Sequence, residues 1–179
     1  MKKIAIALLI LIFNCGFAQV ENPFFEQIAF DLYKNTIIKK YPSEKKIRIA
    51  KYTLDLHPTY YTFQVSECLT GEFLDEKKNL EIFSIYALGQ MDFDAPTHVM
   101  DFDGINKKQF RVKKSKTVKY PYLQISQPYH KKDNFEEFYV NVIEYHKKWS
   151  ITYFVKIDKK GNVMKWCRDK SIIVTQYHG

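Results

Sequence analysis

The segment 91–104, MDFDAPTHVMDFDG, has the residue types that could bind a metal ion. Calcium takes about six to eight oxygen ligands, often from carboxylates around a tight turn. Only a D-x-D-G fragment matches the calcium-loop consensus, because Phe110 occupies the position that should hold the bidentate glutamate. We therefore favour a solvated loop, and no cofactor is predicted. The weak metal candidates are Asp92, Asp94, Asp101 and Asp103, with His98 between the two halves.

Two carboxylate–histidine pairs could carry acid–base chemistry. Asp55 with His57 and Glu144 with His146 are each two residues apart on predicted strands, so each pair lies on one face. A carboxylate in this position can orient an imidazole as a general base. Both histidines also adjoin a strand end or turn, where an exposed imidazole needs no function. His57, Glu144 and His146 remain weak catalytic candidates, without a serine nucleophile motif, a phosphate loop or zinc spacing.

A basic stretch follows the acidic segment. Residues 105–132 hold nine Lys or Arg side chains and no Asp or Glu, and several aromatic residues lie among them. This mixture favours an anionic partner, while lysines that keep an edge strand soluble are the alternative. Lys outnumbers Arg here, which argues against nucleic acid. The predicted binding residues are Lys107, Lys108, Arg111, Lys113, Lys114, Lys116, Lys119, Tyr120, Tyr122 and Tyr129.

The first residues have the layout of a secretory signal. Lys2 and Lys3 precede an apolar run, and small residues follow at Gly16 and Ala18. We predict cleavage after Ala18, which gives a signal peptide of residues 1–18, a single domain of residues 19–179 and a periplasmic or extracellular location. A lipoprotein anchor at Cys15 is the alternative. The lysine-led signal is typical of bacteria, and no later stretch is long and apolar enough to span a membrane.

Export would leave Cys68 and Cys167 in an oxidising compartment, which predicts a disulfide between them. The alternative is two buried free thiols. The formal net charge of the chain is +8, and removal of Lys2 and Lys3 leaves +6. Aromatic residues make up 16% of the chain, which is typical of a well-packed, sheet-rich domain and excludes a disordered one.

Periodicity indicates the elements that position these residues. Apolar residues recur every three or four positions from Phe24 to Ile37, after a possible N-cap at Asn22, which predicts an amphipathic helix ending before Pro42. Alternating patterns then predict strands over 47–56, 60–68, 80–88, 109–113, 117–126, 135–146, 149–157, 162–167 and 171–176. Gly161 predicts a tight hairpin between two of them. The predicted fold is α+β, with one N-terminal helix on a curved, mainly antiparallel sheet; an all-β sandwich or small barrel is the alternative.

Together these features favour an exported, non-catalytic binding module whose basic, tyrosine-containing surface recognises an acidic protein or an anionic envelope polymer. An enzyme receives less support, because no catalytic motif accompanies the histidine pairs. The alternative is a small periplasmic hydrolase or a pocket-type ligand-binding protein that uses those pairs.

Overall fold

The computed structural model describes residues 24–50, 67–71, 83–85, 100–113 and 119–172. Helices occupy Phe25–Leu32 (α1), Ile38–Lys40 (α2) and Glu67–Thr70 (α3), and a π-helical segment, Tyr33–Ile37, joins α1 to α2. The strands are Ile47–Ala50 (β1), Phe83–Ile85 (β2), Phe110–Lys113 (β3), Tyr122–Ile125 (β4), Tyr129–Lys131 (β5), Asn134–Tyr145 (β6), Trp149–Asp158 (β7) and Val163–Ile172 (β8). In these ranges no helix is long and apolar enough to cross a bilayer.

The eight described strands form one open sheet that is mixed but mostly antiparallel. Its central strand, β6, is antiparallel to β7 on one side and to β4 and β5 on the other, and β8 pairs with β7. In contrast, β1 lies parallel to both β3 and β4. The predicted antiparallel meander is therefore confirmed for β6 to β8 and wrong for β1. Alternation identifies a strand but does not specify its partner.

Three local predictions differ from the structure. Residues 67–68, predicted as strand, begin the single turn of α3, which ends at Gly71 with a φ of 77°. Glycine adopts this left-handed conformation without strain and so terminates the helix. The predicted break between 167 and 171 is absent, because β8 continues through it. The short strand β5 was not predicted; its hairpin with β6 aligns Tyr129 with Tyr139.

The helical segment changes its winding at Tyr33. Phe25, Ala29, Tyr33 and Ile37 are all buried and follow one another at intervals of four residues. An α-helix has about 3.6 residues per turn, so a four-residue spacing drifts around its surface. The wider turn of the π-helical segment offsets this drift and keeps Tyr33 and Ile37 on the buried face.

The core lies between this helical segment and one face of β1, β4, β6 and β7. Aromatic rings fill much of it: Phe30 and Tyr33 both contact Phe110 edge to face, and Phe25 stacks on Phe138 at 4.3 Å between ring centroids. Three half-buried rings, those of Tyr41, Trp149 and Trp166, pack at the margin of this core. The helix thus covers the sheet as predicted, while the curvature of the sheet stays a prediction.

Candidate ligand-binding cleft

A cleft of about 330 Å³ opens where β6 turns into β7. The turn is closed by a backbone hydrogen bond of 2.8 Å from the His146 N–H to the Trp149 carbonyl. This tight connection leaves Lys147 and Lys148 exposed at its tip. The volume is at the lower end of the range for small-molecule sites. The lining residues are Lys45, Tyr120, Pro121, His146, Lys147, Lys148 and Trp149.

Arg48 of β1 positions Tyr120 and Pro121, which line the side of the cleft opposite the turn. Its Nη1 donates hydrogen bonds to the carbonyl oxygens of Lys119 and Tyr120, at 3.0 and 3.1 Å. Its backbone N–H donates to the Pro121 carbonyl at 3.0 Å. These three contacts fix the 119–121 segment against the sheet before β4 begins. Tyr120 therefore stands beside the cleft with 42% of its surface exposed.

The charge of the lining is entirely positive or neutral. Lys45, Lys147 and Lys148 are all exposed, and no carboxylate lines the cleft. Among the described residues, none of these three lysines forms an ion pair, because the salt bridges there involve other cations. Like-signed charges around one concavity raise the local concentration of anions. The cleft can therefore attract a negatively charged group.

Trp149 and His146, at the two ends of the turn, contribute aromatic rings to the cleft. Their rings stack with centroids 3.4 Å apart and an interplanar angle of 16°. The ammonium group of Lys170 lies over the same indole, 4.6 Å from its centroid. Such cation–aromatic contacts fix the direction of a long basic side chain as well as its charge. Trp149 thus lines the cleft and also contacts Lys170 of β8.

Glu144 contacts both His146 of the cleft and Tyr33 of the hydrophobic core. Glu144 is 4% exposed; its Oε1 lies 2.9 Å from His146 Nε2, and its Oε2 accepts a hydrogen bond of 2.8 Å from the Tyr33 hydroxyl. With a carboxylate acceptor, Nε2 is the protonated nitrogen, which leaves Nδ1 as the basic nitrogen of a neutral ring. The predicted pairing of Glu144 with His146 is therefore present, with Glu144 in β6 and His146 directly after the last residue of that strand, Tyr145.

Burial shapes the acidity of the tyrosines around this carboxylate. Desolvation raises the pKa of Tyr33 well above its usual value, and the charge of Glu144 raises it further. The pKa of Tyr153, whose ring contacts that of Tyr33 edge to face at 5.4 Å, rises to about 12 for the same first reason. Both hydroxyls therefore stay protonated at neutral pH and into the alkaline range, so Tyr33 remains a donor to Glu144.

The structure describes part of the predicted basic surface. Four of its basic side chains are exposed: Lys107, Lys108, Arg111 and Lys119. The ring centroids of Tyr120 and Tyr122 are 5.6 Å apart. Tyr129, by contrast, is 1% exposed and donates a hydrogen bond to Asn141, so it lies in the interior and cannot contact a partner. The side chain of Lys113 and the whole of Lys114 and Lys116 lie outside the described residues.

The other candidates are placed as follows. Asp101 and Asp103 are exposed, and the Asp101 carboxylate accepts a hydrogen bond from the Asp103 N–H within its own loop. In the described part of the chain, no group of three His, Cys, Asp or Glu side chains is arranged to bind a metal ion. Asp92, Asp94, His98, Asp55 and His57 lie outside the described residues.

Cys167 is disulfide-bonded, and α3, which contains Cys68, packs against β8, which contains Cys167. The pairing of these two cysteines is still a prediction, because the Cys68 side chain is outside the described set.

The sequence predicted His146 and Tyr120 separately but missed the lysines and the tryptophan that complete the cleft. Lys147 and Lys148 were assigned only to a turn, and Lys45 and Trp149 received no role. A short, doubly basic turn between two long strands, flanked by histidine and tryptophan, is the signal that could have drawn attention to this position. Comparisons with protein-family models, with curated proteins and with solved structures found no match.

Proposed function

We propose that this protein is an exported, non-catalytic binding module that holds an anionic ligand in the cleft between Tyr120 and the Lys147–Lys148 turn. The observation that carries this proposal is the lining of the cleft: three lysines and the rings of Tyr120, His146 and Trp149 surround a concavity without a carboxylate. Lysine ammonium groups attract the charge, and the rings supply apolar contact area at a small cost in conformational entropy.

Export and a Cys68–Cys167 disulfide, both predicted from the sequence, would define the setting of this function. A signal peptide of residues 1–18 and an oxidised Cys68–Cys167 pair would place the module in the periplasm or outside the cell, where acidic proteins and anionic envelope polymers are available as partners. The basic surface proposed from Lys107 to Tyr122 contributes at its Tyr120 end, because that residue lines the cleft.

Binding of a panel of polymers to the purified protein tests this proposal. Polygalacturonate and polyglutamate are the anionic probes, and dextran is the neutral one. We expect the anionic probes to bind with an affinity that falls as salt is added, since screening weakens contacts between exposed charges. The K147Q/K148Q variant should bind about tenfold more weakly, because it removes two exposed cations while their turn is held by backbone atoms.

The matched control is K160Q/K165Q, which removes the same charge from exposed positions that do not line the cleft. Equal affinity of K147Q/K148Q and this control would reject the cleft as the binding site. Binding of dextran as tightly as polygalacturonate would reject the anionic ligand class.

A second function, general-base catalysis, is favoured by the 2.9 Å contact of Glu144 with His146 at the cleft. A buried carboxylate that holds an imidazole in place is a common arrangement in hydrolases. Against it, no serine, threonine or cysteine is among the lining residues, so water would have to be the nucleophile. New reducing ends released from polygalacturonate by the wild type and not by H146Q would establish this second function; we expect none.

A further inference from the structure

We infer that the binding site extends beyond the cleft along β8, and that its ligand is a linear anionic polysaccharide. This inference rests on the proposed function. The extension is a row of cations and half-buried rings, here called the β8 strip. Its members are Lys40, Tyr41, Trp149, Trp166, Arg168 and Lys170.

Aromatic rings hold the cations of the strip in place. The Arg168 guanidinium lies over the Tyr41 ring at 4.6 Å, and Lys170 lies over Trp149 at the same distance. Lys40 is 5.5 Å from the Tyr41 centroid and 5.6 Å from the Trp166 centroid. Because the rings pack against the hydrophobic core, they give these long side chains fixed positions before a ligand arrives.

Half of the strip lies in a line because three of its six members belong to one strand, β8. Trp166, Arg168 and Lys170 alternate along β8 and so project to one face of the sheet. Successive members are therefore about 7 Å apart. Lys170 reaches Trp149, which lines the cleft, so the strip and the cleft are continuous. An extended chain can follow this line, whereas a globular partner would need a broader patch.

Charge complementarity selects an anionic chain. Arg168, Lys170 and Lys40 are exposed, and none of them forms an ion pair with a described carboxylate. Asp169 is the acidic neighbour in sequence, but alternation directs it to the opposite face. Carboxylate or sulfate groups repeated along a polysaccharide could contact the cations in turn, and the exposed parts of the rings could contact the sugar units.

Chain length provides the test. Galacturonic acid and a long oligogalacturonate are titrated against the wild type, R168Q/K170Q, K147Q/K148Q and the control K160Q/K165Q. The control removes the same charge, and Lys165 leaves β8 on the face opposite to the strip. We expect R168Q/K170Q to weaken the oligomer about tenfold and to leave the monomer unchanged. K147Q/K148Q should weaken both ligands.

The outcomes separate the two proposals. If K147Q/K148Q weakens binding but R168Q/K170Q matches the control with the oligomer, the strip is overturned and the cleft stands. If neither variant differs from the control, both fail. Polyglutamate bound more tightly than an oligogalacturonate of equal charge would overturn the polysaccharide in favour of an acidic protein. Because Arg168 also neighbours the Tyr153 hydroxyl, K170Q alone is measured too, with an expected loss of about threefold.

Discussion

The hydrogen bond from Tyr33 to Glu144 should make a large contribution to stability, and Y33F removes it with almost no change in shape. Tyr33 is 1% exposed, and its hydroxyl donates at 2.8 Å to the carboxylate of Glu144, a residue that is itself 4% exposed. Hydrogen bonds to charged groups contribute about 1.5–3 kcal/mol, and a buried carboxylate that loses a donor cannot regain it from bulk water. We expect Y33F to lower the free energy of unfolding by about 2 kcal/mol.

Equilibrium unfolding in urea, followed by the fluorescence of Trp149 and Trp166, measures this change. The slope of the free energy with denaturant should stay constant, because the substitution alters little surface exposure, while the midpoint falls. For a domain of this size the same loss lowers Tm by roughly 4–8 °C. A double-mutant cycle with E144Q should give a coupling energy of about 1–2 kcal/mol, since the two groups are in direct contact.

Y139F is the matched control. The Tyr139 hydroxyl also donates to a carboxylate, that of Glu137, but at 3.2 Å and to a side chain that is 25% exposed and already paired with Lys156. Water can replace this contact, so we expect a loss of about 0.5 kcal/mol. If Y33F cost no more than Y139F, or if the cycle showed no coupling, the view of Glu144 as a buried, tightly partnered carboxylate would be refuted.

Three further predictions concern stability. Burial raises the pKa of Tyr33, Tyr129 and Tyr139, and that of Tyr153 to about 12, so the folded state binds these protons more tightly than the unfolded chain. The contribution of these tyrosines to stability should therefore be constant below about pH 10 and fall above it, and thermal melts that stay unchanged from pH 10 up to pH 12 would contradict this. Gly161 has a φ of 88°, so G161A should cost about 1–2 kcal/mol and K160A much less, as compared by urea unfolding. Non-reducing peptide mapping should recover Cys68 linked to Cys167, and reduction should cost up to about 4.7 kcal/mol for a loop of roughly 100 residues; alkylation of Cys68 without reductant would exclude the pair.

Local features of this protein were predictable from sequence. The hairpin at Gly161 forms as predicted, because a positive φ and the Asp158 carboxylate, which accepts hydrogen bonds from the Lys160 and Asn162 N–H groups, are specified within five residues. Glu144 and His146 meet because strand alternation alone places them on one face. The helix before Pro42 and the strands β6 and β7 followed from hydrophobic periodicity in the same way.

Non-local features were not predictable. Arg48 builds one wall of the cleft through the carbonyl oxygen of Lys119, 71 residues away, and Tyr33 donates to Glu144 across 111 residues. No hydrophobic periodicity in the sequence predicts either of these contacts. The parallel pairing of β1 with β3 and β4 was missed for the same reason, and it is this pairing that places Lys45 and Tyr120 beside the β6–β7 turn.

The position of Glu144 suggests why a carboxylate is present at the end of this core. A buried charge with its partners contributes little net stability compared with apolar residues of similar size, although removing one partner is costly. The two oxygens of Glu144 face different parts of the molecule: one accepts from Tyr33 in the π-helical segment, and the other contacts His146 in the cleft. An apolar residue at this position could fill the core but could not hold the imidazole. His146 in turn stacks on Trp149, the ring shared by the cleft and the β8 strip. The carboxylate therefore connects the rigid core to the one aromatic side chain on which both proposed parts of the binding site depend.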